Sequence, residues 1–364
     1  MEYKPLKLCD TKGMPEEDWL KLRQHGPHWD DPSHPDYIPY CVGGSTVAGI
    51  LGVSPWTTPL EVWEEKRGNL PDNPEEVNAE AKIAGHVWED FVAQMVPHME
   101  GYEDAVIIND TGFYQHPYYP FAVANLDRRI IHNGVEGILE IKTTNWRNFE
   151  KIKAWKDGIV PVYYEYQCRW YMAIMNLPYT DIVCAWGFTT NDMAIIHIER
   201  DLVIEKMLLK EVSSFIESIE NNEPPSMEDV DPELAMEALR RLYGSDPTLS
   251  TVEFDPDKYF RTFQGLKQVL EDERELKEEY KAKMDKIERR KKMFATKICE
   301  VLKRADAGFV ELDGERIGVT YKTVTQNRVD SARMKREDPA LYEKYKKEIS
   351  FRTLKLDTDP VDPE

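Results

Sequence analysis

The 364-residue chain contains no run of 18 apolar residues, so no membrane-spanning helix is expected. Its first ten residues hold no apolar stretch, and no secretory leader is expected there. Cysteine is sparse: Cys9, Cys41, Cys168, Cys184 and Cys299 are odd in number and far apart. That spacing excludes a disulfide framework and any Cys-x-x-Cys zinc or redox site, and points to a reducing, cytoplasmic compartment. Positive charge is in deficit, with 47 Lys and Arg against 67 Asp and Glu and a net charge of −20. Taken whole, this argues against a nucleic-acid partner, because phosphate binding draws on Lys and Arg. The 41% of hydrophobic residues suffices for a core and excludes a disordered chain.

Resolved by region, the acidity is uneven. Residues 1–210 carry −13, 211–260 carry −10 and 261–364 carry +3. The stretch Asn222 to Pro232 is acidic and Pro-rich, as expected of a boundary. The expected organisation is an α/β core over 1–225, an acidic linker with a short helix over 226–260, a long basic, amphipathic helix over 261–305, and a small α+β module over 306–364. The long helix rests on two series at seven-residue spacing. These are Leu266, Tyr280, Ile287, Phe294 and Val301, and Leu270, Met284 and Ile298, interrupted by Glu273, Lys277 and Lys291. Residues 281–304 hold ten Lys and Arg against three Asp and Glu. Asp313-Gly314 predicts a two-residue hairpin turn, followed by a helix at 330–348 and a strand at 350–356.

In the first 210 residues, helices are expected near Glu16–Gln24, at Gly44–Leu51, Pro59–Lys66, 78–96 and 161–176. Strands are expected at 104–108, 121–131, 135–143, 181–189 and 193–199. Such alternation builds a mixed α/β layer. Trp56 and Trp63 read as core residues, and Ser45 as a helix N-cap.

The most informative segment is Phe121 to Thr143. Asn133-Gly134 is a strong two-residue turn, and it sets His132 opposite Val135. Asp127 then falls opposite Glu140, with Lys142 on the same face one pleat on, and Leu126, Ile130, Leu139 and Ile141 on the other. Two carboxylates paired across strands destabilise a sheet by up to about 1 kcal/mol. A shared hard cation, Mg²⁺ or Mn²⁺, relieves that repulsion; a merely solvated hairpin face is the alternative. Glu-x-Lys also occurs at Glu64, Glu80, Glu275 and Glu279, in helical, charged contexts. Only the copy at Glu140 lies in an apolar strand behind a matched acid.

Asp127 followed by Glu140-x-Lys142 resembles the PD-(D/E)xK nuclease superfamily. Upstream, Gly85-His-Val-Trp-Glu89 is similar to the Gly-x-x-x-Glu helix motif of lambda-exonuclease-like nucleases; downstream, Tyr164-Glu-Tyr-Gln167-Cys-Arg-Trp-Tyr171 is similar to their following helix. The segments Glu17 to Arg23 and Val42 to Trp63 look like the YqaJ-type viral recombinase branch, and the resemblance spans about residues 15–205. It implies a mixed central sheet flanked by helices and a Mg²⁺-dependent deoxyribonuclease, Mn²⁺ being the substitute ion. Glu89, Asp127 and Glu140, with the carbonyl of Ile141, would hold the metal. Lys142 and Gln167 would act on the water and its surroundings, with Tyr171 supporting Gln167. Arg23 would receive a 5′-terminal phosphate and Ser45 would donate to a phosphate. The implied task is 5′→3′ digestion of double-stranded DNA ends beside a single-strand annealing protein, by a homo-oligomer (a trimer in relatives), in the cytoplasm of a bacterium carrying a phage or prophage. An endonuclease or nickase of the same fold, or an idle end-binding scaffold, are the competing readings. Two departures stand out: Arg128 follows Asp127 where relatives often have Gly, and the loop after Arg23 is long, with Pro27, Pro32, Pro35 and Pro39.

Overall fold

The computed structural model describes residues 3–70, 79–244, 252–323 and 330–346, with the backbone alone for 79–84 and 86. It divides into two units, Met1–Gly244 and Ser245–Glu364. In chain order the first unit contains β1 (Leu6–Asp10), α1 (Glu16–His25), α2 (Gly44–Ile50), α3 (Pro59–Lys66), α4 (Ala79–Met95), β2 (Val106–Ile108), β3 (Gly112–His116) and β4 (Tyr119–Asn125). It continues with β5 (Arg128–His132), β6 (Val135–Thr143), α5 (Phe149–Lys156), α6 (Val162–Met175), β7 (Tyr179–Ala185), β8 (Met193–Glu199), α7 (Leu202–Glu220) and α8 (Pro232–Tyr243).

Two sheets share this unit. β1, β3 and β4 form a three-stranded antiparallel sheet, and β2-β5-β6-β7-β8 form the mixed central sheet, in which β6 and β7 run parallel. Joining parallel neighbours needs a crossover, and α5 and α6 supply it. β7 is buried along its whole length, as an interior strand covered on both faces should be. Buried side chains of α6, among them Cys168, Trp170, Met172 and Ile174, pack with Ile138, Ile182 and Cys184 of the central sheet and Ala122 and Ala124 of β4. The indole of Trp170 donates to the carbonyls of Val42 (3.1 Å) and Val123 (3.3 Å), which ties α6 to β4 and to the segment before α2.

Three differences from expectation have local causes. The segment expected as one strand at 121–131 is two: it breaks at Leu126-Asp127, because β4 pairs with β3 in one sheet and β5 with β2 and β6 in the other. α7 was not foreseen, although Asp201 caps it by accepting from Val203 and Ile204, and Leu208, Val212, Phe215 and Ile219 follow one buried face. Trp63 is buried at 2% exposure, but Trp56 is 57% exposed and meets the ring of Tyr163 edge-on. α8 caps on Asp231 and pairs Arg241 with Glu61 of the α3 capping box. Among the described residues no helix is long and apolar enough to cross a membrane.

The second unit contains α9 (Pro256–Leu302), the hairpin β9 (Ala307–Leu312) and β10 (Glu315–Thr320), and the short helices α10 (Ser331–Glu337) and α11 (Pro339–Tyr345). α9 starts earlier than its apolar pattern because Asp255 caps it and Pro256 occupies the first turn. Asp313 and Gly314 both have positive φ, as the two-residue turn requires. The expected strand at 350–356, and the last residues of the helix expected at 330–348, lie outside the described residues.

Candidate active site

The β5–β6 hairpin has the register the turn predicts, from His132 opposite Val135 to Arg128 opposite Leu139. Asn133 (φ 51°) and Gly134 (φ 74°) form the turn. The ladder ends one residue short of Asp127, where the chain bends toward β4. Ile141 lies two residues beyond Leu139, so its N–H and C=O point to the edge that β5 has left. The Asp127 carboxylate takes the N–H, accepting from Ile141 at 2.8 Å. The bend thereby turns a strand position into a fixed acid beside Glu140. It also moves Leu126 off its expected face. Ile130, Leu139 and Ile141 pack in one cluster, whereas Leu126 packs with Ile138 in the other.

Glu140 is 1% exposed. Lys142 Nζ (2.6 Å) and Gln167 Nε2 (2.7 Å) both donate to its Oε1. The other oxygen, Oε2, is buried and has no hydrogen-bond partner among the described residues. An orphaned buried carboxylate oxygen is costly unless something binds it. Burial, then the Asp127 carboxylate, push Glu140 well above the usual carboxylate range, and Glu89 adds to the push; Lys142 only partly offsets them. Burial alone would lower the Lys142 ammonium, but Glu140 and Asp127 together hold it above its ordinary value. The ammonium also sits 4.8 Å from the centre of the Tyr164 ring. Gln167 reaches Tyr171 Oη at 3.3 Å, one helical turn on, and the buried Tyr171 phenol is raised by burial first and by Glu140 second.

A cleft of about 340 Å³ opens above this group. Its walls include Glu89, Asp127, Gln167 and Tyr171, and on another side Arg23, Ser45 and Trp19. Six of the nine residues singled out in the sequence therefore line one cavity. Glu140 joins it through Gln167, Lys142 through Glu140, and Ile141 through Asp127. Ser45 is not the N-cap of α2; Gly43 is. Ser45 Oγ instead accepts from Arg23 Nη2 at 2.7 Å, and the guanidinium lies over the Trp19 ring at 4.6 Å. Three carboxylates and a backbone carbonyl supply hard oxygens, the donor type Mg²⁺ and Mn²⁺ take, but the carboxylate oxygens of Glu89, Asp127 and Glu140 do not all lie within 4.8 Å of one another, so a cation at Oε2 of Glu140 would have to draw the three together.

Two contributors are invisible in the acid pattern. Tyr164 supplies the ring against Lys142, and only its place one turn before Gln167 hints at this. Arg128, the departure noted above, pairs with Asp90 on α4 and donates to the Asp127 carbonyl, so it ties the helix carrying Glu89 to the bend carrying Asp127. The close approach of α2 to α6 depends on Gly44, where a Cβ would lie 2.7 Å from Tyr171 Cε1 and 2.9 Å from Gln167 Cγ. Gly44→Ala is expected to destabilise the protein by about 1–3 kcal/mol through overpacking. Urea unfolding measures this, and an unchanged midpoint would contradict the contact.

Residues 18–182 match the YqaJ-like viral recombinase domain. The chain is 27% identical over 346 residues to the uncharacterized protein YqaJ of Bacillus subtilis (strain 168), covering 95% of each. Among solved structures it is similar to the alkaline exonuclease LHK-Exo from Laribacter hongkongensis. The complex with dAMP gives 19% identity, 50% coverage of this chain, 89% of that chain and a TM-score of 0.40. A second LHK-Exo structure gives 18% identity, the same coverage and a TM-score of 0.38.

Proposed function

We propose that this YqaJ-like chain is a divalent-metal-dependent deoxyribonuclease that digests duplex DNA from its ends in the 5′→3′ direction, leaving 3′ single strands for an annealing protein. The observation that carries this reading is the buried Glu140 with one oxygen unpartnered, beside an Asp127 fixed by the backbone of Ile141, under a cleft whose other side holds Arg23. The match of residues 18–182 to a viral recombinase domain supports it.

In this reading Glu89, Asp127, Glu140 and the Ile141 carbonyl would hold Mg²⁺, which would lower the pKa of a water and offset charge on the scissile phosphate. Lys142 keeps its proton and remains a cation beside the cleft, so it orients the nucleophile and offsets phosphate charge. Gln167 holds the shared oxygen of Glu140 and keeps that carboxylate from rotating. Arg23, clamped by Ser45 and stacked on Trp19, presents a planar two-donor face suited to a terminal phosphate.

Labelled linear duplex and closed circular DNA, each with Mg²⁺ or EDTA, test the proposal. Degradation of linear DNA alone, stopped by EDTA, is expected. Linear DNA with 5′-phosphate ends should be preferred over 5′-hydroxyl ends, and Arg23→Ala should reduce that preference by about ten- to hundredfold, the worth of a hydrogen bond to a charged group. Cutting of the closed circle would replace the exonuclease with an endonuclease. Absence of any metal-dependent cutting would sink the nuclease reading.

A further inference from the structure

α9 carries an exposed apolar stripe along nearly its whole length. Phe263, Leu270, Tyr280, Ile287, Phe294, Ile298 and Val301 are each 40% exposed or more. With the half-buried Leu266 and Met284 they alternate at steps of three and four, the spacing of a coiled-coil seam. Across 263–301 the seam spans about 57 Å at 1.5 Å per residue. A helix with so long an apolar stripe facing water is expected to meet a partner helix.

The three polar seam positions identify that partner. Were two copies of α9 to pair in parallel, Glu273, Lys277 and Lys291 would each face its own copy, giving three like-charge layers. An antiparallel pair centred on Ala282 removes all three. Glu273 then faces Lys291, Phe263 faces Val301, Leu266 faces Ile298, Leu270 faces Phe294 and Tyr280 faces Met284. Lys277 lies against Ile287 along its aliphatic stem. The wider charge agrees. Residues 271–279 hold six Asp and Glu against two Lys and Arg, and the stretch they would face, 285–293, holds five Lys and Arg against two Asp and Glu. The acidic stretch before Ala282 and the basic stretch after it are thus each complementary to the other in a reversed copy.

We propose that α9 pairs antiparallel with α9 of a second copy of this chain, in the register that sets Glu273 against Lys291. The two symmetry-related Glu273–Lys291 layers specify register and orientation, as polar seam positions do in coiled coils. The two-fold pair is isologous, so the same stripe serves both chains.

Sedimentation equilibrium at tens of micromolar should give the full chain twice the mass of its Glu273→Lys variant, with association weakening as salt rises. Glu273→Lys alone, or Lys291→Glu alone, loses both opposed pairs in the dimer and should weaken association by about tenfold or more. The double variant should restore it. Orientation is read by cross-linking in a Cys299→Ser background. Leu270→Cys mixed with Phe294→Cys should give a covalent pair, and neither should do so alone. A monomeric wild type would overturn the proposal. So would Leu270→Cys cross-linking to itself, which reports parallel helices, or charge exchange without rescue. Circular dichroism of each variant separates lost association from lost helix.

Discussion

Lys142→Ala is expected to lower the rate of DNA cleavage by about 10³-fold while leaving the fold intact. The ammonium has three neighbours that fix its position: Glu140 Oε1 at 2.6 Å, the Tyr164 ring at 4.8 Å, and the Asp127 carboxylate, which helps hold its proton. A cation held in this way needs no reorganisation when negative charge develops nearby, and such preorganised groups are worth about two to four powers of ten in rate. Alanine removes it and leaves Glu140 with Gln167 as its remaining donor. Lys142→Arg should rescue little, because a planar fork cannot replace a compact ammonium between a ring and a single carboxylate oxygen. Single-turnover digestion of an end-labelled duplex at saturating Mg²⁺ isolates the chemical step from DNA binding, and a melting curve reports the fold. A Lys142→Ala enzyme that cuts within a few-fold of wild type would remove Lys142 from the mechanism.

Much of this site was legible in the sequence, for a physical reason. A two-residue Asn-Gly turn admits one register, and that register runs to Arg128 opposite Leu139, which brings Asp127 beside Glu140, just past the last ladder pair, and aligns Lys142. The helices of Glu89 and Gln167 follow from apolar periodicity. What pattern could not reach is the bend at Leu126-Asp127. No Gly or Pro interrupts Phe121 to Ile131, and Asn125 and Asp127 are only weak breakers. The break is imposed by β3, which recruits β4 into a separate sheet, and β3 is a short strand with Gly112 and His116 at its ends that carries no strong strand signal. Leu126 was misplaced for that reason, and the hydrogen bond from Ile141 to Asp127 arises from the same break.

The burial of Trp63 and the exposure of Trp56 make the same point. Trp63 sits mid-helix behind the Thr58–Glu61 capping box and faces the core, while Trp56 lies in the turn before that box, where periodicity says nothing. Arg128 looked like a departure from the expected Gly after the acid. In three dimensions it is a brace between α4 and the bend, a role that depends on Asp90 being brought to it by the fold. The acid ligands belong to local geometry and could be read from the chain; their supports belong to packing and could not.

Glu140→Gln is expected to invert the response of stability to metal and to pH. In the metal-free protein the Glu140 carboxyl titrates at about 8, against an ordinary 4.5, because burial and Asp127 oppose its ionisation. A group that holds its proton more tightly when folded stabilises the protein fully below the unfolded value and loses that stabilisation as pH rises toward the folded one. Metal-free stability should therefore fall between pH 5 and about 8 from this group. Mg²⁺ or Mn²⁺ competes with that proton, so the melting temperature gained on adding metal should be small at pH 5 and grow to several degrees at pH 8. Gln carries no titrating proton and no anionic oxygen. The variant should melt higher than the metal-free wild type at pH 8, lose the pH slope from this position, and gain little from either ion. Both halves come from one atom, the unpartnered Oε2. If the variant still gains several degrees from Mn²⁺ at pH 8, the cation sits elsewhere. If the metal-free wild type shows no decline toward pH 8, Glu140 is ionised and already paired in the cleft, and the acid pair does not need a metal to relieve it.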